Sequence, residues 1–344
     1  VYKRQLLRAS AEDFQVDEQL GYAATGEGEH AFLRIRKRGI NTADVARELA
    51  RFAGVRRVNV GFAGLKDRHA VTTQHFSVHL PGMPDPDWRD MQSTQLQVLE
   101  ALRHNRKIRR GSLRGNAFVL VLRQLHGPRD EAEQLLARIA EQGVPNYFGP
   151  QRFGRDASNL HRAARLLAGE GGGRAKPEQK RMLLSAARSY LFNRVLAERV
   201  RRGDWNQALP GEVVLLEGSN RQFLAENPDE EIRRRVREQD IHPSGPLPGR
   251  QGRTLRPLGE VHRLEEQVLE EAPGAAWIDA LVSQGADSER RPLRLVPKDL
   301  AWDWLAEGVL QLTFALPTGA YGTTLVRELM AQASPGEPAQ REMS

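Results

Sequence analysis

Patterns typical of β-strands occupy the two ends of this chain, whereas helical patterns fill its middle. Residues 30–37 alternate apolar and polar side chains, residues 71–80 are rich in β-branched and aromatic types, and residues 116–122 are almost wholly apolar. Helical patterns dominate from 145 to about 271, and alternation returns at 308–315. We therefore predict an α+β fold in which one sheet-bearing domain is split by a mostly helical insertion, and the C-terminal strand returns to the first sheet.

Local patterns predict the remaining elements. Thr42 is the predicted N-cap of a helix over 43–53, a strand is predicted at 57–62, and further helices at 129–142, 180–200 and 323–333. Glycine and proline predict loops at 169–176 and 242–259, and we expect a frayed tail at 334–344.

Composition excludes several classes of protein. The 344 residues suffice for about two domains, and no apolar run is long enough for a transmembrane helix. The absence of cysteine excludes disulfides, thiolate nucleophiles, zinc fingers and iron–sulfur clusters. Because the chain begins at Val1 without a methionine, we expect its true start to be missing or processed.

Basic residues are clustered in a chain whose net charge is +7. Residues 101–115 hold six basic side chains and no acidic one, and residues 174–202 hold nine basic and two acidic ones. Such runs form either solvated faces or phosphate-binding surfaces, and both interpretations stay open. The candidates for phosphate contact are Arg106, Lys107, Arg109 and Arg110.

No pattern in the sequence predicts a metal site. None of the nine histidines lies in an HExxH motif. His75 and His79 are four residues apart in a predicted strand, which separates them by about 13 Å, too far for one metal ion.

The segment GFAGLKDRHAVTTQHFS, residues 61–77, has the highest density of polar groups. Asp67 lies there in a predicted turn, beside Lys66, Arg68 and His69. An aspartate in a turn often only caps nearby backbone amides. Alternatively, a carboxylate surrounded by cations stays ionised and can act as a nucleophile or a base.

This segment closely resembles the catalytic motif of the TruD family of tRNA pseudouridine synthases. Further segments agree with the family in order and spacing: LLRASAEDF ending at Phe14, GSLRGNAFVLVL at 111–122, GVPNYFGPQRFG at 143–154, SAARS at 185–189 and LPTGAYGTTLVREL at 316–329. Together they cover nearly the whole chain, so a chance match is very improbable.

The resemblance implies a fold, a substrate and a reaction. The expected fold is the pseudouridine synthase catalytic domain, a mixed and mainly antiparallel sheet flanked by helices, formed by 1–141 and 293–344. A mostly helical family-specific insertion domain would span 142–292. The expected activity converts uridine 13 in the D-arm of tRNA to pseudouridine, without a cofactor or metal. We expect a cytoplasmic monomer that binds tRNA, with neither a membrane nor a protein partner.

The resemblance also implies roles for individual residues. Asp67 matches the catalytic nucleophile, and whether it attacks C1′ or assists a glycal route stays open. Arg8 and Arg327 are both candidates for the cation that pairs with Asp67. The basic residues of 106–110 become candidates for contact with the RNA backbone.

Four aromatic or amide side chains match substrate-contacting positions or lie beside them. Phe14, Asn116 and Tyr321 fall on such positions, although Phe is usual where this chain has Tyr321. Phe118 is predicted to lie against the flipped base, or else to be an ordinary aromatic residue of the core.

Two other functional classes stay as alternatives. A catalytically silent tRNA-binding or folding-assistance protein would keep the basic surface without needing Asp67. A metal-dependent nuclease would need clustered carboxylates, whereas the nearest aspartates on either side of Asp67, Asp44 and Asp85, are distant in sequence.

Overall fold

The computed structural model describes residues 6–7, 9–170 and 176–331. Its backbone divides into two compact units. The first comprises the described residues up to Arg129 together with Pro297–Gly319, and the second comprises the described residues of Asp130–Val296 together with those from Ala320 onward. The domain boundaries expected from the sequence, at 142 and 293, stay a prediction.

The elements are numbered along the chain. They are β1 (Leu6–Leu7), β2 (Phe14–Leu20), β3 (His30–Arg38), α1 (Thr42–Phe52), β4 (Val60–Phe62), β5 (Val71–His79), β6 (Leu96–His104), β7 (Leu113–Arg123), α2 (Arg129–Gln142), β8 (Val144–Pro145), α3 (Pro150–Phe153), α4 (Ser158–Leu167), α5 (Pro177–Arg202), β9 (Glu212–Leu216), β10 (Gln222–Ala225), α6 (Glu230–Arg237), β11 (Ile241–Leu247), α7 (Gly259–Glu270), α8 (Gly274–Ser283), β12 (Glu289–Pro292), β13 (Arg294–Leu295), β14 (Lys298–Ala306), β15 (Val309–Pro317) and α9 (Gly322–Ala331).

A mixed sheet forms the first unit. Its strand order is β14-β15-β7-β2-β5-β3-β6, with β1 beside β7 and β4 beside β5. The pair β2–β5 is parallel, and the other pairs are antiparallel. β15 pairs with β7 along nearly its whole length, from Leu310 opposite Leu122 to Pro317 opposite Gly115. The predicted α+β class and the return of the C-terminal strand to the first sheet are therefore confirmed.

Helix α1 covers one face of this sheet and defines its core. Val45 and Leu49 of the helix are fully buried against Leu33 and Ile35 of β3. The predicted helix is confirmed, but the predicted N-cap is wrong. Asn41 precedes the first helical residue, and the hydroxyl of Thr42 instead bonds to a side chain of the sheet.

The second unit contains helices α2 to α9, a four-stranded sheet in the order β10-β9-β11-β12, and a two-stranded sheet of β13 and β8. The predicted helices at 129–142 and 180–200 correspond to α2 and α5. The sequence did not predict the four-stranded sheet, because its strands are short and three of them carry charged or proline residues.

The predicted loop at 242–259 is wrong at its start, where β11 forms despite two prolines. Pro243 is paired with β9 alone and Pro246 with β12 alone, so neither lies between two partner strands. Gly245 fits because a Cβ there would lie 2.8 Å from Leu293 and 3.1 Å from the Phe192 ring. Packing against α5 therefore selects residues that a local pattern assigns to a loop.

Two further predictions need adjustment. Only Val60–Phe62 of the predicted strand at 57–62 is extended, since Arg57–Asn59 form a 3-10 turn. The final helix is α9, and its predicted last residues at 332–333, the tail at 334–344 and residues 171–175 of the predicted loop lie outside the described residues. Among the residues that are described, no helix has both the length and the apolar character needed to cross a membrane.

Candidate active site

Asp67 lies in the loop between β4 and β5, where its side chain is half-buried. Its Oδ1 atom accepts a hydrogen bond from the backbone N–H of His69 at 3.0 Å. This bond is the turn interaction that the local sequence favours. It fixes the rotation of the carboxylate, so the turn role and a chemical role are compatible.

The first helical residue and the sheet together anchor this loop. The Thr42 hydroxyl accepts a hydrogen bond from the backbone N–H of Lys66 at 3.0 Å and donates one to Gln74 Oε1 at 3.0 Å. Gln74 in β5 then donates from Nε2 to the Gly64 carbonyl at 2.5 Å. Thr42 and Gln74 are both fully or almost fully buried, so the loop is held by bonds that water cannot easily replace.

Lys37 lies beneath the loop with only 1 % of its surface exposed. Its ammonium donates to the Ile40 carbonyl at 2.9 Å and to the Asp67 carbonyl at 3.1 Å. Burial lowers the pKa of Lys37 to about 8. The negative charge of Asp67 opposes this change, and the positive charge of Lys66 adds to it. A cation near neutral pH thus holds the backbone of the candidate nucleophile.

A buried charge pair joins the loop to β2. Lys66 Nζ lies 3.2 Å from Glu18 Oε2, and the side chains are 7 % and 0 % exposed. Burial raises the pKa of Glu18, and the Lys66 charge opposes that change. Glu18 lies directly opposite Asn116 in the β2–β7 ladder, so both side chains share one face of the sheet.

Asn116 is half-buried, and its Oδ1 atom is buried without a hydrogen-bond partner among the described residues. An unpaired buried acceptor is costly, so such an atom in a native structure needs an explanation. Asn116 lies opposite Glu18 in the sheet, and Glu18 pairs with Lys66, the residue next to Asp67. The structure therefore brings two of the predicted site residues, Asp67 and Asn116, to one region of the first unit.

Phe118 continues the same face but lies in the core. It is 6 % exposed, its ring stacks on Phe314 at 5.2 Å between centroids, and it meets Phe14 edge-on at 6.3 Å. Phe14 is also buried. These contacts favour the core role of Phe118, and the predicted contacts of both rings with a substrate stay predictions.

The basic segment after β6 is exposed at Arg106, Arg109 and Arg110. Arg106 lies over the Tyr22 ring and Arg110 over the Phe62 ring, and Lys107 donates to the Val58 carbonyl. Within the described ranges, none of the four forms an ion pair with a carboxylate. The segment therefore presents uncompensated positive charge on the first unit.

The model of one protein family matches the chain over residues 4–175 and 173–329, and that family is described as tRNA pseudouridine synthase D (TruD). The chain belongs to the TruD family.

Similar proteins agree with this assignment. The tRNA pseudouridine synthase D of Nitrosococcus oceani is 49 % identical over 340 residues, covering 97 % of this chain and 92 % of that protein. The enzyme of the same name from Methylococcus capsulatus is 48 % identical over 332 residues, covering 96 % and 92 %. A solved structure of a putative TruD from Methanosarcina mazei has a TM-score of 0.73 at 22 % identity, covering 96 % and 94 %, and it supports the fold.

Two of the predicted TruD site residues belong to the second unit. Tyr321 is half-buried immediately before α9, and Arg327 is exposed on that helix. The charge of Arg327 acts on Glu328 in that unit. Burial raises the pKa of Glu328, and the Arg327 charge partly opposes this rise. Arg8 lies outside the described residues, so both predicted cation partners of Asp67 stay predictions.

The sequence interpretation missed Lys37, which one pattern could have revealed. Ala31, Leu33 and Ile35 alternate along β3 on the face that packs against α1. Lys37 continues that apolar row, and a lysine in a buried row requires hydrogen-bond partners. Over the residues that the structure covers, no group of three or more metal-binding side chains is found.

Proposed function

We propose that this TruD-family chain converts uridine 13 in the D-arm of tRNA to pseudouridine, with Asp67 as the catalytic nucleophile. The observation that carries the proposal is the anchoring of the Asp67 loop by buried polar groups, namely Lys37, Thr42 and Gln74. Catalysis depends on a reacting group that is held in place before the substrate arrives. The family assignment supports the same reaction.

The reaction is an isomerisation, and its atoms balance without a second substrate. The N1–C1′ bond breaks, the uracil turns, and C5 bonds to C1′. The proton that C5 loses and the proton that N1 gains cancel in the overall change. In the nucleophilic route the Asp67 carboxylate bonds to C1′ while the uracil is detached, and in the glycal route it acts as a base instead.

Asn116 is suited to hold the detached base. Its buried Oδ1 can accept a hydrogen bond from the N3–H of uracil or from a ribose hydroxyl. A base inside folded RNA must first be unstacked, at a cost of a few kcal/mol. Contacts between the exposed basic segment and RNA phosphates would offset part of that cost.

We further propose an oligomeric state, a localisation and a partner for the enzyme. It acts as a monomer in the cytoplasm with tRNA as its macromolecular partner. Sedimentation of the purified protein with and without tRNA tests the stoichiometry, and a dimer in both samples would contradict it.

The decisive experiment compares Asp67→Asn with the wild-type chain and with the matched control Asp90→Asn, an exposed aspartate of the same unit. Pseudouridine at position 13 is mapped after incubation with tRNA in the presence of EDTA. We expect Asp67→Asn to lose more than about 99 % of turnover and to bind tRNA within a few-fold of wild type, because only the reacting charge is removed. Turnover above about one per cent would exclude Asp67 as the nucleophile.

The same experiment separates the alternatives. A silent tRNA-binding protein would form no pseudouridine with any variant, and a metal-dependent nuclease would cleave the RNA unless EDTA were present.

A further inference from the structure

Two arginines in the second unit lie over one aromatic ring. The guanidinium carbon of Arg291, in β12, is 4.1 Å from the centroid of Phe148, and that of Arg152, in α3, is 5.1 Å from the same centroid. Arg291 also lies 5.7 Å from the Phe192 ring. Two like charges share this ring, and the Arg152 charge acts on Arg291.

Hydrogen bonds hold this arrangement in place. Arg291 donates from Nη2 to Asn146 Oδ1 at 2.6 Å, and Asn146 donates from Nδ2 to the Pro292 carbonyl at 2.9 Å. Asn193 bonds to both the backbone N–H and the carbonyl of Phe148, each at 2.9 Å. The ring and Arg291 are therefore positioned by the fold before any ligand binds.

The two guanidinium groups have no compensating acid among the residues that the structure describes. In the described part of the chain, neither Arg152 nor Arg291 has a carboxylate within ion-pair distance, and the Nε atom of each is buried without a hydrogen-bond partner. Elsewhere in the same unit, the buried Arg199 and Arg290 are each bonded to carboxylates. Arg199 and Arg290 are thus neutralised by acids, whereas Arg152 and Arg291 are not neutralised by any carboxylate of the described residues.

Burial and the neighbouring Arg152 lower the pKa of Arg291 to about 10, and Tyr321 acts in the opposite direction. Arg291 is thus charged at neutral pH, but its charged form is destabilised relative to a guanidinium group in water. An anion bound between Arg152 and Arg291 would relieve this cost. Guanidinium groups present planar donors that match the oxygens of a phosphate.

We propose that Arg152 and Arg291 together bind one backbone phosphate of the RNA substrate. This inference rests on the proposed function, because that function supplies a polyanionic substrate. RNA is favoured over free phosphate because Tyr321, a predicted substrate-contacting residue, is an electrostatic neighbour of Arg291.

The test measures equilibrium binding of tRNA over a series of salt concentrations. The variants Arg152→Gln, Arg291→Gln and the double variant are all made in the Asp67→Asn background, so that catalysis does not affect the measurement. The matched control is Arg237→Gln, an exposed arginine of the same unit that is paired with Glu230.

Loss of one phosphate contact should reduce the slope of log affinity against log salt by about 0.7 to 0.9. We expect this change in each single variant and no larger change in the double variant, because both arginines bind the same phosphate. Arg237→Gln should leave the slope unchanged. Arg152→Lys should retain the slope, because it keeps the charge.

An unchanged slope in Arg152→Gln would overturn the inference. Circular dichroism confirms that each variant is folded. If Arg291→Gln unfolds, Arg152→Gln decides, since it loses one 3.3 Å hydrogen bond to Ser185 and one contact with the Phe148 ring. Calorimetry with inorganic phosphate distinguishes the source of the anion. Binding of phosphate that requires Arg152, together with an unchanged tRNA slope, would assign the site to free phosphate and overturn the RNA assignment.

Failure of this site and failure of the proposed function give different results. If wild-type protein forms pseudouridine while the slope of Arg152→Gln is unchanged, the phosphate site is wrong and the function stands. If wild-type protein binds tRNA without forming pseudouridine, the function is wrong, and the slope still decides the site.

Discussion

Replacement of Lys37 by methionine tests whether the buried ammonium positions the candidate nucleophile. Methionine has a similar length and leaves no buried charge, but it removes the donors to the Ile40 and Asp67 carbonyls. Two hydrogen bonds from a charged donor contribute about 3 to 6 kcal/mol in total. The pKa of about 8 means that keeping Lys37 charged in the folded state costs about 3 kcal/mol relative to a free lysine. The net loss of stability should therefore be only about 0 to 3 kcal/mol.

The effect on catalysis should be larger than the effect on stability. The Asp67 carbonyl loses its donor, and a displacement of about 1 Å in a reacting group costs about 100-fold in rate. We expect kcat of Lys37→Met to fall by about one to two orders of magnitude, while the affinity for tRNA changes little. The matched control is Arg36→Met, whose exposed side chain points to the other face of the same strand.

The pH dependence gives a second, independent readout. In wild-type protein Lys37 loses its proton as the pH rises through about 8, so kcat should fall between about pH 7 and 9. The unfolded chain keeps that proton up to about pH 10.4, so wild-type stability should rise over the same interval and above it. Lys37→Met should show neither change. A methionine variant that keeps kcat within about threefold, or that retains the alkaline fall, would refute a positioning role for Lys37.

Four further results are expected. Asn116→Ala should lower kcat/KM by about one to three orders of magnitude in the pseudouridine assay without lowering Tm, because its buried Oδ1 makes no bond within the described structure. Tyr321→Phe should leave activity within a few-fold and Tyr321→Ala should cost about 1 to 3 kcal/mol in transition-state binding; equal damage by both would show that the hydroxyl is required. Alanine at Arg106, Lys107 and Arg109 together should reduce the slope of log tRNA affinity against log salt by about two to three. An unchanged slope would mean that this segment is only a solvated face. Burial, assisted by Arg34 and opposed by Asp17, lowers the pKa of His75 to about 4. The free energy of unfolding, measured in urea, should therefore fall as the pH is lowered from about 6.5 to 4, and His75→Gln should show a smaller fall.

The sequence predicts those parts of the fold that depend on local patterns. Alternation along β3 and the amphipathic face of α1 follow from side-chain spacing alone, and both elements form where they are expected. β11 could not be predicted in this way. Its prolines are tolerated because each faces one partner strand, and that depends on residues distant in sequence.

The candidate site shows the same division. Asp67 was identified from a short segment and its resemblance to a family. Lys37 and Glu18 were missed because their importance depends on burial and on pairing across strands. The Arg152–Arg291 pair joins residues far apart in the sequence, so only the folded chain brings the two charges together.

The pairing of β15 with β7 has a consequence for the order in which the nascent protein can fold on the ribosome. One edge of β7 stays without its native partner until residues 124–308, about 185 residues, have been made. At about 5 to 20 residues per second, that interval lasts roughly 10 to 40 s. During it an apolar strand edge is open to pairing with other chains, a known route to aggregation. Newly made chains should therefore depend on chaperones more than a protein whose sheet is completed from one continuous segment.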